Sequence, residues 1–157
     1  MSPVDYIPRT RELYADHPPY RWVVNEDAPW TPLTKPLQEC KVVLMSSGGI
    51  YHRDQEPFHF KNDDSFREIS RDTAVSDMRV SHFGYRIDDA KKDPNCVFPL
   101  ERMRELEGEG LFGQLAERAF SFMGGIYSAR RVKERLAPRL LEQVRDLKAD
   151  LVYLVPA

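Results

Sequence analysis

The sequence predicts an α/β fold, a short and mainly parallel sheet flanked by helices and Rossmann-like in plan. Three observations predict it. Val42-Val43-Leu44-Met45 is a continuous apolar run that breaks at Ser46-Ser47-Gly48-Gly49, as a strand covered on both faces would. Ala119–Met123 and Leu151–Val155 repeat the pattern, the first of them stopped by Gly124-Gly125. Between these runs, apolar residues recur at three- and four-residue steps, the helical period. Strand ends near Ser46, Met123 and Val155 would bring Ser46–Gly49, Gly124-Gly125 and the last residues together, and open α/β sheets bind ligands at the carboxyl ends of their strands.

Residues 1–39 read as an extended arm and residues 40–157 as a single α/β domain. The arm is punctuated by Pro3, Pro8, Pro18, Pro19, Pro29, Pro32 and Pro36 and carries Tyr14, Tyr20, Trp22 and Trp30. Thr10–Asp16 is expected to form a helical turn or two, ended by Pro18-Pro19. The aromatics are expected to pack on the domain or on a second subunit, or simply to wrap its surface. After the first strand, residues 54–77 read as a long acidic loop anchored by Phe58, Phe60, Phe66 and Ile69, with a turn at Asn62–Ser65. Arg79–Phe83 reads as a second strand. Asp93-Pro94-Asn95 is a turn, and Pro99 opens a helix through about Glu107, with Val97, Leu100, Met103 and Leu106 facing the core. Gly108 and Gly110 stop it. Leu111–Ala116 is expected to be a short helical piece. Ser128 caps the longest helix, which runs to about Lys148, buries Val132, Leu136, Leu140, Val144 and Leu147, and kinks at Pro138. Leu151–Val155 ends on a sheet edge, which pairing with a second chain would cover.

Composition narrows the class of function. The 157 residues are 41% hydrophobic and 31% charged, which describes one globular domain with a working core. A formal net charge of −2 speaks against an electrostatic nucleic-acid binder. No apolar run reaches membrane-spanning length, and the first residues lack the apolar core of a secretory signal, so a cytoplasmic protein is expected. Cys40 and Cys96 form no CxxC pair and read as free thiols.

The chemistry-bearing residues follow the first strand. Ser46, Ser47 and the backbone of Gly48-Gly49 offer donors to a small ligand, or make only a tight turn. Arg53 offers a bidentate fork to a carboxylate. His52 and Asp54, one residue apart, point to one side of an extended segment. With His59 or His82 they make a ligand set for zinc, iron or manganese. The alternative is a loop in which Arg53 and Asp54 pair. His82 and Tyr85 suit general acid–base work, or His82 holds its loop through Asp88 or Asp93.

The ordered segments SSGGIYHRDQEPF (46–58), SHFGYRIDDAKKDPNCVFPLERMRELEGEGLFGQL (81–115) and FSFMGG (120–125) resemble the selenoprotein B component of glycine, sarcosine and betaine reductases and the related component of D-proline reductase. The resemblance runs from about Trp30 onward. Its most specific part is His82-x-Gly84-Tyr85, then Asp93-Pro94-Asn95, then the helix into Glu109-Gly110. It implies a redox or substrate-binding role in reductive carbon–nitrogen bond cleavage, with a small carboxylated or amino-acid-like substrate. Its substrate-binding edge would be Ser46–Asp54, with His52, His82 and Tyr85 as catalytic groups. The family carries a cysteine or selenocysteine just beyond the strand that corresponds to Leu151–Val155, and this sequence shows none there. The expectation is therefore a homodimer, or a hetero-oligomer with a redox subunit, in which a partner or an external thiol or selenol supplies the electrons. The alternatives are a non-catalytic binding or assembly subunit, and a metal-dependent lyase or hydrolase using His52, Asp54 and His82.

Overall fold

The structure, a computed structural model, describes residues 6–13, 15–16, 26–27 and 30–157. The chain divides into the units Met1–Pro32 and Leu33–Ala157. In the first, α1 (Tyr6–Leu13) begins four residues before the expected helical stretch Thr10–Asp16 and overlaps it at Thr10–Leu13, while Tyr14, Tyr20 and Trp22 lie outside the described residues.

The second unit is built on β1 (Lys41–Ser46). Its strict alternation sends Val42 and Leu44 to one face of the sheet and Val43 and Met45 to the other. Each face carries its own apolar core. Ile69, Phe98, Leu100, Met103 and Leu115 join Val42 and Leu44. Phe120, Leu136, Leu140 and Leu147 join Val43 and Met45. A strand with a core on each side has no polar face, which is why its sequence reads as an unbroken apolar run.

The sheet is mixed. β5 (Gln114–Leu115), β6 (Arg118–Phe122) and β7 (Leu151–Val155) all run parallel to β1. β5, β6 and β7 each pair with β1, the last in the register Val42↔Leu151 to Ser46↔Val155. A further strand beside them is a correction to the expected loop at 54–77. β3 (Phe66–Ser70) runs antiparallel to β6, Phe66↔Phe122 through Ser70↔Arg118. Arg67 and Glu68 hide it in the sequence. At a sheet edge such charges are tolerated, and the Arg67 guanidinium reaches back to the carbonyls of Glu56 and Pro57.

Other local expectations also change. Ile50–His52, read as part of the site loop, is strand β2, and the expected strand at Arg79–Phe83 shortens to β4 (Met78–Val80). The two form a separate antiparallel ribbon, Ile50↔Val80 and His52↔Met78. Leu111–Ala116 is not helical but turns into β5. A short helix, α2 (Asp88–Lys92), precedes the Asp93 turn, where the Asp93 carboxylate accepts the Asn95 N–H. α3 (Leu100–Gly108) begins directly after Pro99, as its sequence signals indicate.

The long helix starts at Ser128, whose hydroxyl accepts the Arg131 N–H. It runs as α4 (Ala129–Arg131), a π-helical stretch Val132–Leu136 and α5 (Ala137–Asp146). Pro138 has no N–H to give to Glu134, and a π turn at this point takes up the mismatch. Pro138 therefore sits in the first turn of α5, directly after the π-helical stretch. Among the described residues, no helix is long and apolar enough to cross a membrane.

Candidate functional site

The carboxyl ends of β1, β6 and β7 meet at Ser46–Gly49. The Ser47 N–H donates to the Val155 carbonyl at 3.1 Å, and the Gly124 N–H donates to the Ser47 carbonyl at 3.0 Å. The Ser47 hydroxyl accepts the Ala157 N–H at 2.9 Å and faces the Ala157 backbone oxygen at 3.3 Å. Beside this junction lies a cleft of about 300 Å³ lined by Ser47, Phe122, Met123, Gly124, Ile126, Val132, Leu154, Pro156 and Ala157. It is a half-open, mostly apolar hollow.

The turn itself is a clamp. The N–H groups of residues 47–50 are all committed within the chain, to the Val155 carbonyl, the Ser46 hydroxyl (2.9 Å), the Phe122 carbonyl (3.1 Å) and the Ser121 hydroxyl (2.8 Å). The buried Ser46 hydroxyl also donates to the Val97 carbonyl at 2.6 Å. The donors expected from this turn thus hold three strands and the Val97 loop together. Gly49 has φ +69°, and a Cβ there would stand 2.2 Å from the Ser81 carbonyl oxygen.

His82 and Tyr85 are brought to this junction by β4. The His82 side chain is only 5% exposed. Its Nδ1 accepts the Gly84 N–H at 2.9 Å, and its Nε2 has no hydrogen-bond partner. The Tyr85 ring tilts over the imidazole at 4.5 Å, and its hydroxyl donates to the Gly48 carbonyl at 2.8 Å. Burial, with a smaller contribution from nearby Cys96, pushes the Tyr85 phenol up to about 12. Tyr85 therefore stays protonated at neutral pH and serves as a donor. Burial lowers the His82 pKa below its usual value, against the hydrogen-bonding pull of the Ser47 backbone.

His52, Arg53 and Asp54 are elsewhere. His52 pairs with Met78 at the far end of the ribbon, four residues along the strand from the level of His82, or about 13 Å at the strand rise. Arg53 pairs with Asp77 at 3.0 Å rather than with Asp54, and Asp54 instead faces His52 Nδ1 at 3.4 Å. His59 is exposed, and its N–H goes to the Asp63 carboxylate at 2.8 Å. Among the described residues no three His, Cys, Asp or Glu side chains come together as a metal-holding group. Neither Asp88 nor Asp93 holds His82, whose loop contact is the Gly84 N–H. Sequence reading places Gly124 at this junction but misses the apolar wall of Ile126, Val132 and Leu154. Those residues look like ordinary helix and strand core, and nothing in their spacing distinguishes them.

Cys40 is fully buried just before the start of β1, and Cys96 is exposed. Burial, then the carboxylates of Asp93 and Asp89, push the Cys96 thiol up. A chromogenic thiol reagent should therefore titrate one cysteine in the folded chain, slowly at pH 7, and two once urea unfolds it. Two fast thiols in the folded chain would contradict this packing.

Residues 20–156 match the model of a family described as glycine/sarcosine/betaine reductase selenoprotein B. The chain belongs to this family. Among curated relatives of this selenoprotein B family member, the D-proline reductase subunit gamma of Acetoanaerobium sticklandii is 38% identical over 80% of the chain and 52% of its own length. The sarcosine reductase complex component B subunit beta of Peptoclostridium acidaminophilum is 32% identical over 78% of the chain and 30% of its own length. The glycine reductase complex component B subunit gamma of Symbiobacterium thermophilum is 27% identical over 80% of the chain and 30% of its own length. The chain thus spans about half the length of the first relative and less than a third of the other two. No solved structure matches it.

Proposed function

We infer that this chain is the substrate-binding part of a reductase component, taking a small carboxylated amine into the cleft where β1, β6 and β7 end. One observation carries the reading: a buried histidine with an unpartnered nitrogen stands behind the cleft floor formed by Ser47, Gly124 and Ala157. Buried polar atoms are seldom left without a partner, and the exceptions collect at working sites. The apolar wall suits the carbon part of a small substrate.

Reductive cleavage of a carbon–nitrogen bond takes two electrons and two protons, and we assign them to a pair of thiols, or a thiol and a selenol, of a partner subunit or a small external donor, which ends as a disulfide or selenosulfide. Tyr85 would hold the Gly48 carbonyl and the imidazole ring in place rather than exchange protons itself. Arg53 as a carboxylate fork would have to give up Asp77, and it would act at the far end of the ribbon from His82. His52 and Asp54 belong to that second region.

A second reading, a binding or assembly subunit, is favoured by β7. It is an edge strand in this sheet, and its Val152, Tyr153 and Leu154 are exposed, Leu154 at 58%. Exposed apolar edges are templates for pairing with another chain. The two readings separate in a titration of the ¹⁵N-labelled chain with sarcosine, betaine, glycine and D-proline, followed by amide shifts. The substrate reading expects one of them to move Ser47, His82 and Gly124 together. Shifts confined to Arg53–Asp77 would move the site to the ribbon, and no shift from any of the four would leave the assembly reading.

A further inference from the structure

We propose that the aromatic row and apolar hollow beside the strand ends are a docking surface for a different polypeptide, one that presents apolar side chains ringed by carboxylates. This deepens the assembly reading and rests on its premise that the chain works against a partner. The addition is which face meets that partner and what chemistry the partner carries.

Three aromatic side chains form a row on the surface. The Phe60 and Phe83 rings stand 6.2 Å apart, edge to face, and Phe83 and Tyr127 stack at 6.2 Å. Phe60 is 60% and Tyr127 80% exposed, with Phe83 exposed between them. Phe83 has a seat of its own. A Cβ at Gly125 would stand 2.2 Å from its ring, so only glycine at that position lets the ring come so close to the backbone. From Gly125 the apolar surface runs into the cleft, because Ile126 follows directly and lines the hollow with Val132 and Leu154. Leu154 and Val152 continue it along one face of β7, in register with Met45 and Val43, and both are exposed. Single exposed apolar residues are ordinary, whereas a continuous apolar patch marks an interaction surface.

The rim of this patch is basic. Residues 126–139 hold Arg130, Arg131, Lys133, Arg135 and Arg139 against the one carboxylate of Glu134, in a chain whose net charge is −2. Lys61 adds an exposed cation beside Phe60. The nearest acids do not offset them. Asp63 is buried and accepts the His59 and Ser65 N–H groups at 2.8 and 2.9 Å, and Asp64 faces Arg135 at 3.1 Å. Arg130 and Arg131 stand in the first turn of the long helix, which has no acidic residue. The free N–H groups of a helix start are already positive, so cations there cost the isolated chain stability. Carboxylates on a docked partner relieve that cost.

A second copy of the chain does not suit this face. In a twofold dimer a patch meets its own copy, which would set Arg130, Arg131 and Lys133 against the same cations, and like charges across an interface oppose association. A nucleic acid would satisfy the cations but leave Leu154 and Val152 uncovered. Aromatic and arginine side chains around an apolar centre are the groups that carry binding energy between proteins.

The test is photo-crosslinking from benzoylphenylalanine placed singly at Tyr127, at Leu154, at Tyr153 on the opposite face of β7, and at exposed Arg102 on α3. Each purified full-length chain is irradiated in extract of its native host, and products are identified by mass and by sequencing the joined peptides. The expected result is one identified polypeptide joined through both Tyr127 and Leu154, at apolar residues flanked by Asp or Glu. A product of this chain with itself overturns the proposal, and so does a joined stretch without acidic residues. A partner caught only from Tyr153 or Arg102 overturns this surface and leaves the assembly reading standing. No product at any position overturns both. A fluorescent single-stranded oligo-dT that binds and displaces the polypeptide would make the face a nucleic-acid site and also overturn the proposal.

Charge reversal supplies the second readout. Arg130→Glu with Lys133→Glu should cut the crosslink yield by about 10-fold at about 0.05 M salt, with the difference closing to about 2-fold at about 0.5 M. The same variant should keep or raise the urea midpoint, because the helix start loses its cations. An unchanged yield overturns the proposal. If yield and midpoint fall together, the neutral pair Arg130→Gln with Lys133→Gln decides, and an unchanged yield in that folded variant overturns it.

Discussion

Gly49→Ala is expected to destabilise the chain by about 3 kcal/mol or more, and to abolish ligand binding at the strand ends. Two costs add at this residue. Its φ of +69° lies in the left-handed region, where a Cβ is strained. That Cβ would also stand 2.2 Å from the Ser81 carbonyl oxygen and 3.1 Å from its carbon. Both are backbone atoms of a residue that bonds back through the Ser81 N–H to the Gly49 carbonyl at 2.9 Å. No side-chain rotation relieves such a clash, so β4 must move away from β2. His82 follows Ser81 directly and moves with it. Urea denaturation checks the stability, and Gly108→Ala is the control. Gly108 ends α3, and a methyl group added there would meet nothing within 4 Å. Alanine at that position should leave stability unchanged or raise it by up to about 1 kcal/mol. A Gly49→Ala midpoint equal to wild type would refute the close packing of Gly49 against Ser81.

Glu107→Ala is the second large effect, expected at about 2 kcal/mol. The Glu107 carboxylate accepts the Leu115 N–H at 2.9 Å and an Arg71 N–H at 3.2 Å, and its other oxygen meets the second arm of the Arg71 fork. Arg71 also donates to the Leu115 carbonyl at 2.7 Å, and Arg104 donates to the Arg71 carbonyl at 2.6 Å. One carboxylate thereby joins the end of β3 to α3 and β5. Its removal strands the Leu115 N–H and one guanidinium. Both side chains keep 20–25% of their exposure, so water softens the loss, and the figure stays below that of a fully buried pair.

The same group sets an acid limit. Burial pushes the Glu107 carboxyl up, but the Arg71 hydrogen bond, the Leu115 N–H and the Arg71 charge together outweigh it, and the net shift is downward from 4.5. A carboxylate with a folded pKa below its unfolded one adds stability that is fully present above the unfolded value and fades as pH falls through the folded value. Stability should therefore fall below about pH 4.5. Asp63, Glu117 and Asp150 are also held low, so wild type alone does not isolate Glu107. Glu107→Gln keeps one acceptor and cannot titrate. Its stability curve should be shallower than wild type below pH 4.5, and parallel curves would remove Glu107 from the acid response.

These two predictions fall on different kinds of legibility. Gly49 is visible in the sequence as a small residue in a turn after a strand. Nothing local shows that the turn's N–H groups are already spent, because three of the four acceptors, Val155, Phe122 and Ser121, are supplied from more than 70 residues away. Glu107 and Arg71 read as surface charges on a helix and a loop. Their pairing depends on β3, and β3 is hidden because Arg67 and Glu68 put a charge on each face of a five-residue edge strand, leaving too few apolar residues to signal it. His82 stands out by residue type, yet its burial, the Tyr85 ring over it and the Gly84 N–H on its Nδ1 are set by the fold.

By itself the sequence determined the family, the α/β class and the three apolar strands whose ends converge. Those properties reside in ordered segments and in local periodicity, which contiguous residues carry. The tertiary structure alone decided that His52, Arg53 and Asp54 stand apart from His82, that Arg53 is held by Asp77, and that His82 is buried with its Nδ1 on the Gly84 N–H. Such facts depend on strand register and on which distant group meets which hydrogen bond. In a ribbon with a two-residue repeat, four residues of separation amount to about 13 Å, enough to divide one expected site into two.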